Sequence, residues 1–169
     1  MNPSITFRKF QANDISLYCQ WKNQPEIWQV DELDDFKETR PEEIRDWFNQ
    51  IVAGGLSYMI LMDNTPIGYV GFKSIDEDAK TAEFLIVLGE LSTWSQGYGK
   101  VAMGWLFDRA FDHLRLESIF GYVFGNNTRA LKFFQKLGFE IAEEWGEPFF
   151  RDGESYPVLK IVKGAPSAI

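Results

Sequence analysis

The chain is poor in thiols and soft metal ligands: its 169 residues include one cysteine, Cys19, and one histidine, His113. A lone cysteine excludes an intramolecular disulfide, and no CxxC or Cys/His spacing signals a zinc site. Basic residues are also scarce. Seventeen Lys and Arg face 25 Asp and Glu, a net charge of −8. Binding to nucleic-acid phosphates needs a basic face, so that class is set aside, and the charge favours cationic small molecules or peptides. No apolar run approaches the ~20 residues of a membrane-spanning helix, and no charged-then-apolar leader opens the chain. The expectation is a soluble, reduced, cytoplasmic protein with no metal, nucleic acid or membrane partner.

Hydrophobic residues make up 45% of the chain and aromatic ones 16%. At roughly 100–200 residues per domain, this composition predicts a single domain over 1–169, with a core at about 5–163 and a flexible tail over 164–169. Ile5 to Phe10 alternates in the strand period. Asn13 and Asp14 cap a helix carrying Ile15, Tyr18 and Cys19, which ends before Pro25. Thr39 and Glu42 form a capping box for a helix with Ile44, Trp47, Phe48 and Ile51 on one face, ending at Gly54-Gly55.

Three strands follow, Ser57 to Met62, Ile67 to Ile75 and Thr81 to Leu88. Their turns are Asp63-Asn64-Thr65-Pro66 and Asp76-Glu77-Asp78, and the third strand reads as largely buried. After a loop, Ala102, Met103, Leu106, Phe107, Ala110 and Leu114 recur at helical spacing. Ser118 to Phe124 reads as a strand and Thr128 to Leu137 as a helix with Gly138 behind it. Two last strands lie near Phe139–Phe150 and Tyr156–Val162. The order β α α β β β α β α β β predicts an α/β fold: a mixed, mostly antiparallel sheet of six or seven strands with helices on both faces.

Two segments carry chemistry. Trp94-Ser95-Gln96-Gly97-Tyr98-Gly99-Lys100 lies between a strand and a helix. Glycines there free the backbone, and the open N–H groups of the helix start, with its dipole, suit a phosphate. A glycine turn that merely starts a helix fits those residues equally. The loop is neither a Walker A sequence nor a dinucleotide fingerprint.

The second segment is Asn127-Thr128-Arg129-Ala130 followed by Phe133-Phe134-Gln135-Lys136-Leu137-Gly138-Phe139. This run, about thirty residues after the glycine loop, resembles the closing motif of the GCN5-related N-acetyltransferases. The element order matches that superfamily across 5–162. Trp94-x-x-Gly-Tyr-Gly and Trp21-Lys22-Asn23-Gln24-Pro25-Glu26-Ile27 are similar to the branch holding ribosomal-protein N-terminal acetyltransferases and aminoglycoside 6′-N-acetyltransferases.

The resemblance implies acetyl-CoA as donor and a primary amine as acceptor. It places Trp94, Ser95, Gln96, Gly97, Tyr98, Gly99 and Lys100 on the coenzyme phosphates, through backbone N–H groups from Gln96 onward. It places the Val87 and Leu88 backbone on the pantetheine arm, and Asn127, Phe133 and Phe134 against the coenzyme, with Asn127 serving equally as a helix cap. Two residues depart from the family pattern: Trp94 stands where Arg or Gln is usual, and Phe134 where many members have a tyrosine acid. Amine attack needs a general base, and Glu83, a carboxylate in an apolar strand, is the candidate; a solvated glutamate at a sheet edge is the alternative.

Trp28, walling a pocket with Trp21, and the run Asp31, Glu32, Asp34 and Asp35, in the loop between the first two helices, are the candidate acceptor residues. The bland alternatives are core packing for the tryptophans and a solvated loop for the acids. His113 is expected at a helix C-terminus and Cys19 is expected to be buried and inert. The favoured acceptor is a small cationic amine, aminoglycoside- or polyamine-like, and the protein is expected to be a monomer or homodimer. A protein N-terminus or lysine, as on a basic ribosomal-type protein, and a non-catalytic acyl-CoA-binding module are the alternatives, with a nucleotide-binding enzyme a distant third.

Overall fold

Two turns with strict backbone demands fix the hairpins. In the computed structural model, which describes residues 3–167, Asp63 and Asn64 have φ of 46° and 67°, the two-residue turn whose twist suits paired strands. They join strand β2 (Ser57–Met62) to β3 (Thr65–Asp76). The β2–β3 register runs from Met62↔Thr65 to Ser57↔Gly71 with an irregularity at Ile60/Leu61. Leu61 faces Pro66 there, and a residue without an N–H is tolerated where the ladder is disturbed. The strand therefore begins at Thr65, two residues before the sequence reading puts it. Asp152 and Gly153, with φ of 52° and 79°, make the matching turn between β7 (Phe149–Arg151) and β8 (Glu154–Tyr156).

The remaining elements are β1 (Ile5–Lys9), α1 (Ile15–Lys22), α2 (Pro25–Asp31), α3 (Pro41–Gly54), β4 (Thr81–Leu88), α4 (Tyr98–Phe107), β5 (Ser118–Phe124), α5 (Thr128–Lys136), β6 (Glu140–Glu144) and β9 (Val158–Gly164). The strands hydrogen-bond in the order β1-β2-β3-β4-β5-β9-β6, a seven-stranded sheet, with β7-β8 separate. β1–β2, β2–β3, β5–β9 and β6–β9 pair antiparallel, whereas β4 and β5 run parallel at Thr81↔Ser118, Ala82↔Ile119 and Glu83↔Phe120. This is the mixed, mostly antiparallel α/β fold read from the sequence. The chain divides into two compact units. The first takes in the chain up to Ser74 together with Leu85–Phe107, and the second takes in Ile75–Phe84 and the chain from Asp108 onward.

In the first unit, α1, α3 and strands β2 and β3 enclose Phe10, Tyr18, Trp21, Ile27, Phe48, Met59 and Tyr69. Several readings shift here. Pro25 does not merely end a helix; it is the first residue of α2, where its missing N–H is harmless, so Trp28 and Asp31 are helical rather than in a loop. The capping box of α3 falls one residue later than expected: the Arg40 N–H donates to the Glu43 carboxylate at 2.7 Å, while the Thr39 N–H donates to the Asn23 side chain. Trp47 is 47% exposed although Phe48 beside it is fully buried.

In the second unit, β5 pairs with β9 from Ser118↔Gly164 to Phe124↔Val158. Gly164 thus belongs to a strand rather than the tail, the Ala165 N–H donates to the Glu117 carbonyl, and 168–169 lie outside the described residues. The helical period after α4 changes at Asp108–His113, a π-helical segment, so Leu114 falls outside the helix and is exposed. The His113 ring meets the Asp108 carbonyl at 3.0 Å, the C-terminal position expected of it. The two last strands are four, β6 to β9: Gly146, at positive φ, lies between β6 and β7, and Pro157 lies between β8 and β9. No helix among the described residues is long and apolar enough to cross a membrane.

Asp14 precedes α1 but does not cap it. Its carboxylate accepts two Arg8 N–H groups at 2.7 and 2.8 Å and the Gln11 N–H at 2.8 Å. Burial pushes this carboxyl up, but the Arg8 and Gln11 donors outweigh it and hold it below its ordinary 3.8. A carboxyl lowered on folding contributes stability above that value and loses it as pH falls below. Asp14→Asn is expected to lower stability by about 2 kcal/mol at neutral pH. Urea unfolding at pH 7 and pH 3 checks this: the gap to the unsubstituted protein should narrow at pH 3.

Candidate active site

The first unit contains the loop that follows β4. β4 ends at Leu88, and the N–H of Gly89 behind it, like that of Glu90, donates to the Ile67 carbonyl. A Cβ at Gly89 would stand 2.1 Å from the ring of Trp21, so only glycine lets that indole seat against the bend. Trp21 is fully buried and its Nε1–H donates to Glu90 Oε1 at 2.9 Å. Gln24 Nε2 donates to the Gly89 carbonyl at 2.7 Å. The segment Trp21 to Gln24 therefore braces the loop; Trp21 is a core residue and not the pocket wall expected from its size. The second tryptophan, Trp28, donates its indole N–H to the Asp34 carbonyl at 2.8 Å and meets Phe36 edge-on. It thereby orders the stretch after α2.

A 3₁₀ turn over Leu91–Thr93 leads to Trp94, whose Nε1–H donates to the Leu88 carbonyl at 2.9 Å. The Leu88 backbone, which the resemblance assigns with that of Val87 to the pantetheine arm, thus has its carbonyl engaged by the chain itself. Ser95 and Gly97 both have positive φ, 61° and 89°. Gly97 has nothing within 4 Å of where its Cβ would be, so it is there for its backbone conformation and the open space above it. Its carbonyl accepts the N–H groups of Lys100 and Val101. Lys100 is therefore not the backbone donor expected of it. The first N–H groups of a helix have no partner within it, which leaves those of Tyr98 and Gly99 at the start of α4 facing the loop. Open backbone donors, a permissive glycine and a helix N-terminus fit a pyrophosphate.

The first unit also contains a polar and aromatic cluster around Asp31 and Glu32, in which Lys22 and Tyr18 were not singled out by sequence reasoning. Lys22 Nζ, at the end of α1, pairs with Asp31 at 3.6 Å and with Glu32. It also lies 6.0 Å from the Tyr18 ring centre and 5.5 Å from that of Trp47. Although 36% of the Asp31 side chain stays accessible, burial of its carboxyl pushes it up, against the pull of Lys22 and, more weakly, Lys73. The hydroxyls of Tyr18 and Tyr69 hydrogen-bond each other, and burial with the nearby acids pushes both well above the ordinary tyrosine range. They are neutral hydrogen-bonding groups at any working pH, poorly suited to give up a proton. Asp34 and Asp35 are exposed. Cys19, with its thiol donating to the Thr39 carbonyl and pushed up by burial, is a poor nucleophile.

The second unit contains Glu83, Asn127, Phe133 and Phe134. Glu83 is part-exposed and pairs with Phe120 within β4–β5, so it is not the sheet-edge residue of the bland alternative. Asn127 caps α5, its Oδ1 accepting the Ala130 N–H at 3.1 Å. Phe134 is 7% exposed, its ring meeting Phe84, Phe133 and Phe139. It is a core residue with little surface to offer a coenzyme, whereas Phe133 stays part-exposed. The loop residues Gly97, Tyr98 and Gly99 follow Trp94, whose indole reaches back to the Leu88 carbonyl. Among the described residues no group of His, Cys, Asp and Glu has the make-up of a metal site.

Comparison with known proteins agrees with this geometry. The acetyltransferase (GNAT) domain family matches residues 4–140. Acetyltransferase PseH of Campylobacter jejuni is 30% identical over 142 residues, 82% of this chain and 84% of the relative. The spermidine N(1)-acetyltransferase of Vibrio cholerae is 21% identical, covering 95% of this chain and 93% of that protein. The crystal structure of the Vibrio cholerae spermidine N-acetyltransferase with CoA and spermine superimposes with a TM-score of 0.82 at 20% identity, over 95% of each chain. The chain belongs to the GNAT acetyltransferase family and is an acetyl-CoA-dependent N-acetyltransferase.

Proposed function

We propose that the acceptor is a small cationic primary amine, aminoglycoside- or polyamine-like, acetylated by direct attack in a ternary complex. The observation that carries this is the acidic and aromatic cluster of the first unit, which already holds one alkyl ammonium, that of Lys22, against Asp31 and Glu32 and near two aromatic rings. The net charge of −8 supports it by drawing cations toward the protein. So do the Vibrio cholerae relatives named for spermidine.

Acetyl-CoA supplies the acyl group as a thioester. The N–H groups of Tyr98 and Gly99, opened by the positive φ of Gly97, orient the pyrophosphate, and Trp94 fixes the end of β4 where the arm would run. Asn127 and Phe133 are the coenzyme residues proposed in the second unit. Glu83 acts as the base that removes the amine proton, directly or through water. Positioning the amine against the thioester does most of the work. No acid comes from Phe134, and a thiolate leaves readily without one. The buried, inert Cys19 supports direct attack over a covalent acyl-enzyme.

The test is thiol release from acetyl-CoA with a panel of amines, aminoglycosides and basic peptides. Turnover with small cationic amines is expected; acetylation of basic peptides alone would transfer the case to a protein-acetylating enzyme, and saturable acetyl-CoA binding without turnover to a binding module. Gly97→Ala places a Cβ on a backbone at φ +89°, which costs about 1 kcal/mol or more. It should raise the acetyl-CoA Kd roughly fivefold, read by calorimetry. Glu83→Gln should lower kcat by about 10² or more with acetyl-CoA affinity unchanged. Replacing Asp34 and Asp35 by Asn should raise the acceptor KM at low ionic strength, the effect shrinking as salt is added.

A further inference from the structure

In the second unit the sheet has two unlike faces. Ala82 pairs with Ile119, and both are buried, as are Phe84 and Val123; this is the core side. Alternation puts the residues between them on the other side. There Glu83 and Phe120 are register partners, Tyr122 stands two residues beyond Phe120, and Lys160 faces Tyr122 across β5–β9. All four are only half-buried. Their contacts show the shared side: the Phe120 and Tyr122 ring centres lie 6.0 Å apart, and Lys160 Nζ lies 5.0 Å from that of Phe120. An uncovered sheet face is ordinarily polar, whereas this one sets two aromatic rings beside a carboxylate.

Tyr122 is held in place by its ring alone. Trp145 packs on it at 4.7 Å and Phe120 meets it edge-on, while its hydroxyl has no hydrogen-bond partner among the described residues. No buried side-chain polar atom goes unpaired among them, so this hydroxyl is open to solvent. Lys160 is by contrast engaged, pairing with Glu143 at 3.3 Å. The diagonal from Glu83 to Tyr122 spans roughly 7–8 Å between side-chain roots. That leaves room for one nitrogen bonded to both, above the Phe120 ring.

We infer that this face docks the acceptor amine: its nitrogen lies over Phe120, giving one N–H to Glu83 and another to the Tyr122 hydroxyl oxygen. Tyr122 is an acceptor-binding residue and passes no proton. The inference rests on Glu83 as the base and deepens that reading. An amine held at two points has its lone pair directed, whereas one held by Glu83 alone turns freely.

The experiment measures thiol release from acetyl-CoA with propylamine, spermidine and tetralysine, for the protein and its Tyr122→Phe variant. The substitution keeps the ring and removes only the oxygen. For every amine turned over, kcat/KM should fall about tenfold, the worth of one hydrogen bond to a charged group. The acetyl-CoA Kd by calorimetry and the thermal midpoint should stay as they were. An unchanged kcat/KM overturns the inference, and so does a loss matched by weaker acetyl-CoA binding or by a lowered midpoint. Phe120→Leu, which removes the ring face, should raise the amine KM about fivefold. Should none of the three amines be turned over, calorimetric titration with each in the presence of coenzyme A decides: Tyr122→Phe should bind about tenfold more weakly, and absent saturable binding overturns the inference. Failure of the readings beneath it shows separately. Glu83→Gln with undiminished kcat removes the base and leaves the Tyr122 result standing. Turnover of tetralysine alone removes the small-amine acceptor, and the tenfold fall is then read on that peptide.

Discussion

The bend at Gly89 depends on a steric constraint that much of the first unit shares: a fully buried indole occupies the space where any side chain at residue 89 would be. Trp21 can sit there only because α1 ends beside the bend, and the bend keeps its course only because Trp21 and Gln24 hold Glu90 and the Gly89 carbonyl. Fixing where β4 stops fixes where the loop to α4 begins. The positive-φ residues Ser95 and Gly97 then turn the chain so that the first N–H groups of α4 are left open. A coenzyme loop needs donors without internal partners, and such donors are held still only if the segments before and after them are over-determined. Packing here supplies the rigidity, and backbone geometry supplies the chemistry.

Trp94 shows how a departure from a family pattern is absorbed. An arginine or glutamine at this position has several donors, whereas an indole has one N–H, and this one is directed back onto the Leu88 carbonyl. The ring packs against the core of the first unit, so the residue works as a brace. Phe134 is the parallel case in the second unit. Without a hydroxyl it has no polar atom to satisfy, and it is drawn into an aromatic cluster with Phe84 and Phe139, made possible by Gly121, where a Cβ would stand 2.7 Å from the Phe84 ring.

Charge is distributed less simply than the total of −8 suggests. Asp14 is tied to Arg8, Asp31 and Glu32 to Lys22, and Glu143 to Lys160. A run of acids along the sequence is therefore not a run of free charge in space. In the stretch from Asp31 to Asp35 the first two acids have an internal partner, and the exposed Asp34 and Asp35 are left to face solvent.

The sequence by itself determined the strand and helix inventory where period and punctuation were strong. Ser57–Met62, Thr81–Leu88 and Ser118–Phe124 match the strands residue for residue, because apolar runs, β-branched and aromatic residues and polar turns all agreed there. The glycine loop and the Asn127 cap were legible for the same reason: both are local backbone requirements, met by neighbours in sequence. Tertiary structure alone decided the rest. Whether Trp21 or Trp47 would be buried could not be read from helical spacing, since burial depends on what the face meets. The π-helical turn after α4 was hidden because a one-residue change in helical register carries no compositional mark, and α2 was hidden because a proline suits the first residue of a helix as well as the end of one. The surroundings of Lys22 were invisible in the sequence: they come from Asp31, Glu32, Tyr18 and Trp47, which three separate helices and a connecting residue bring to one ammonium.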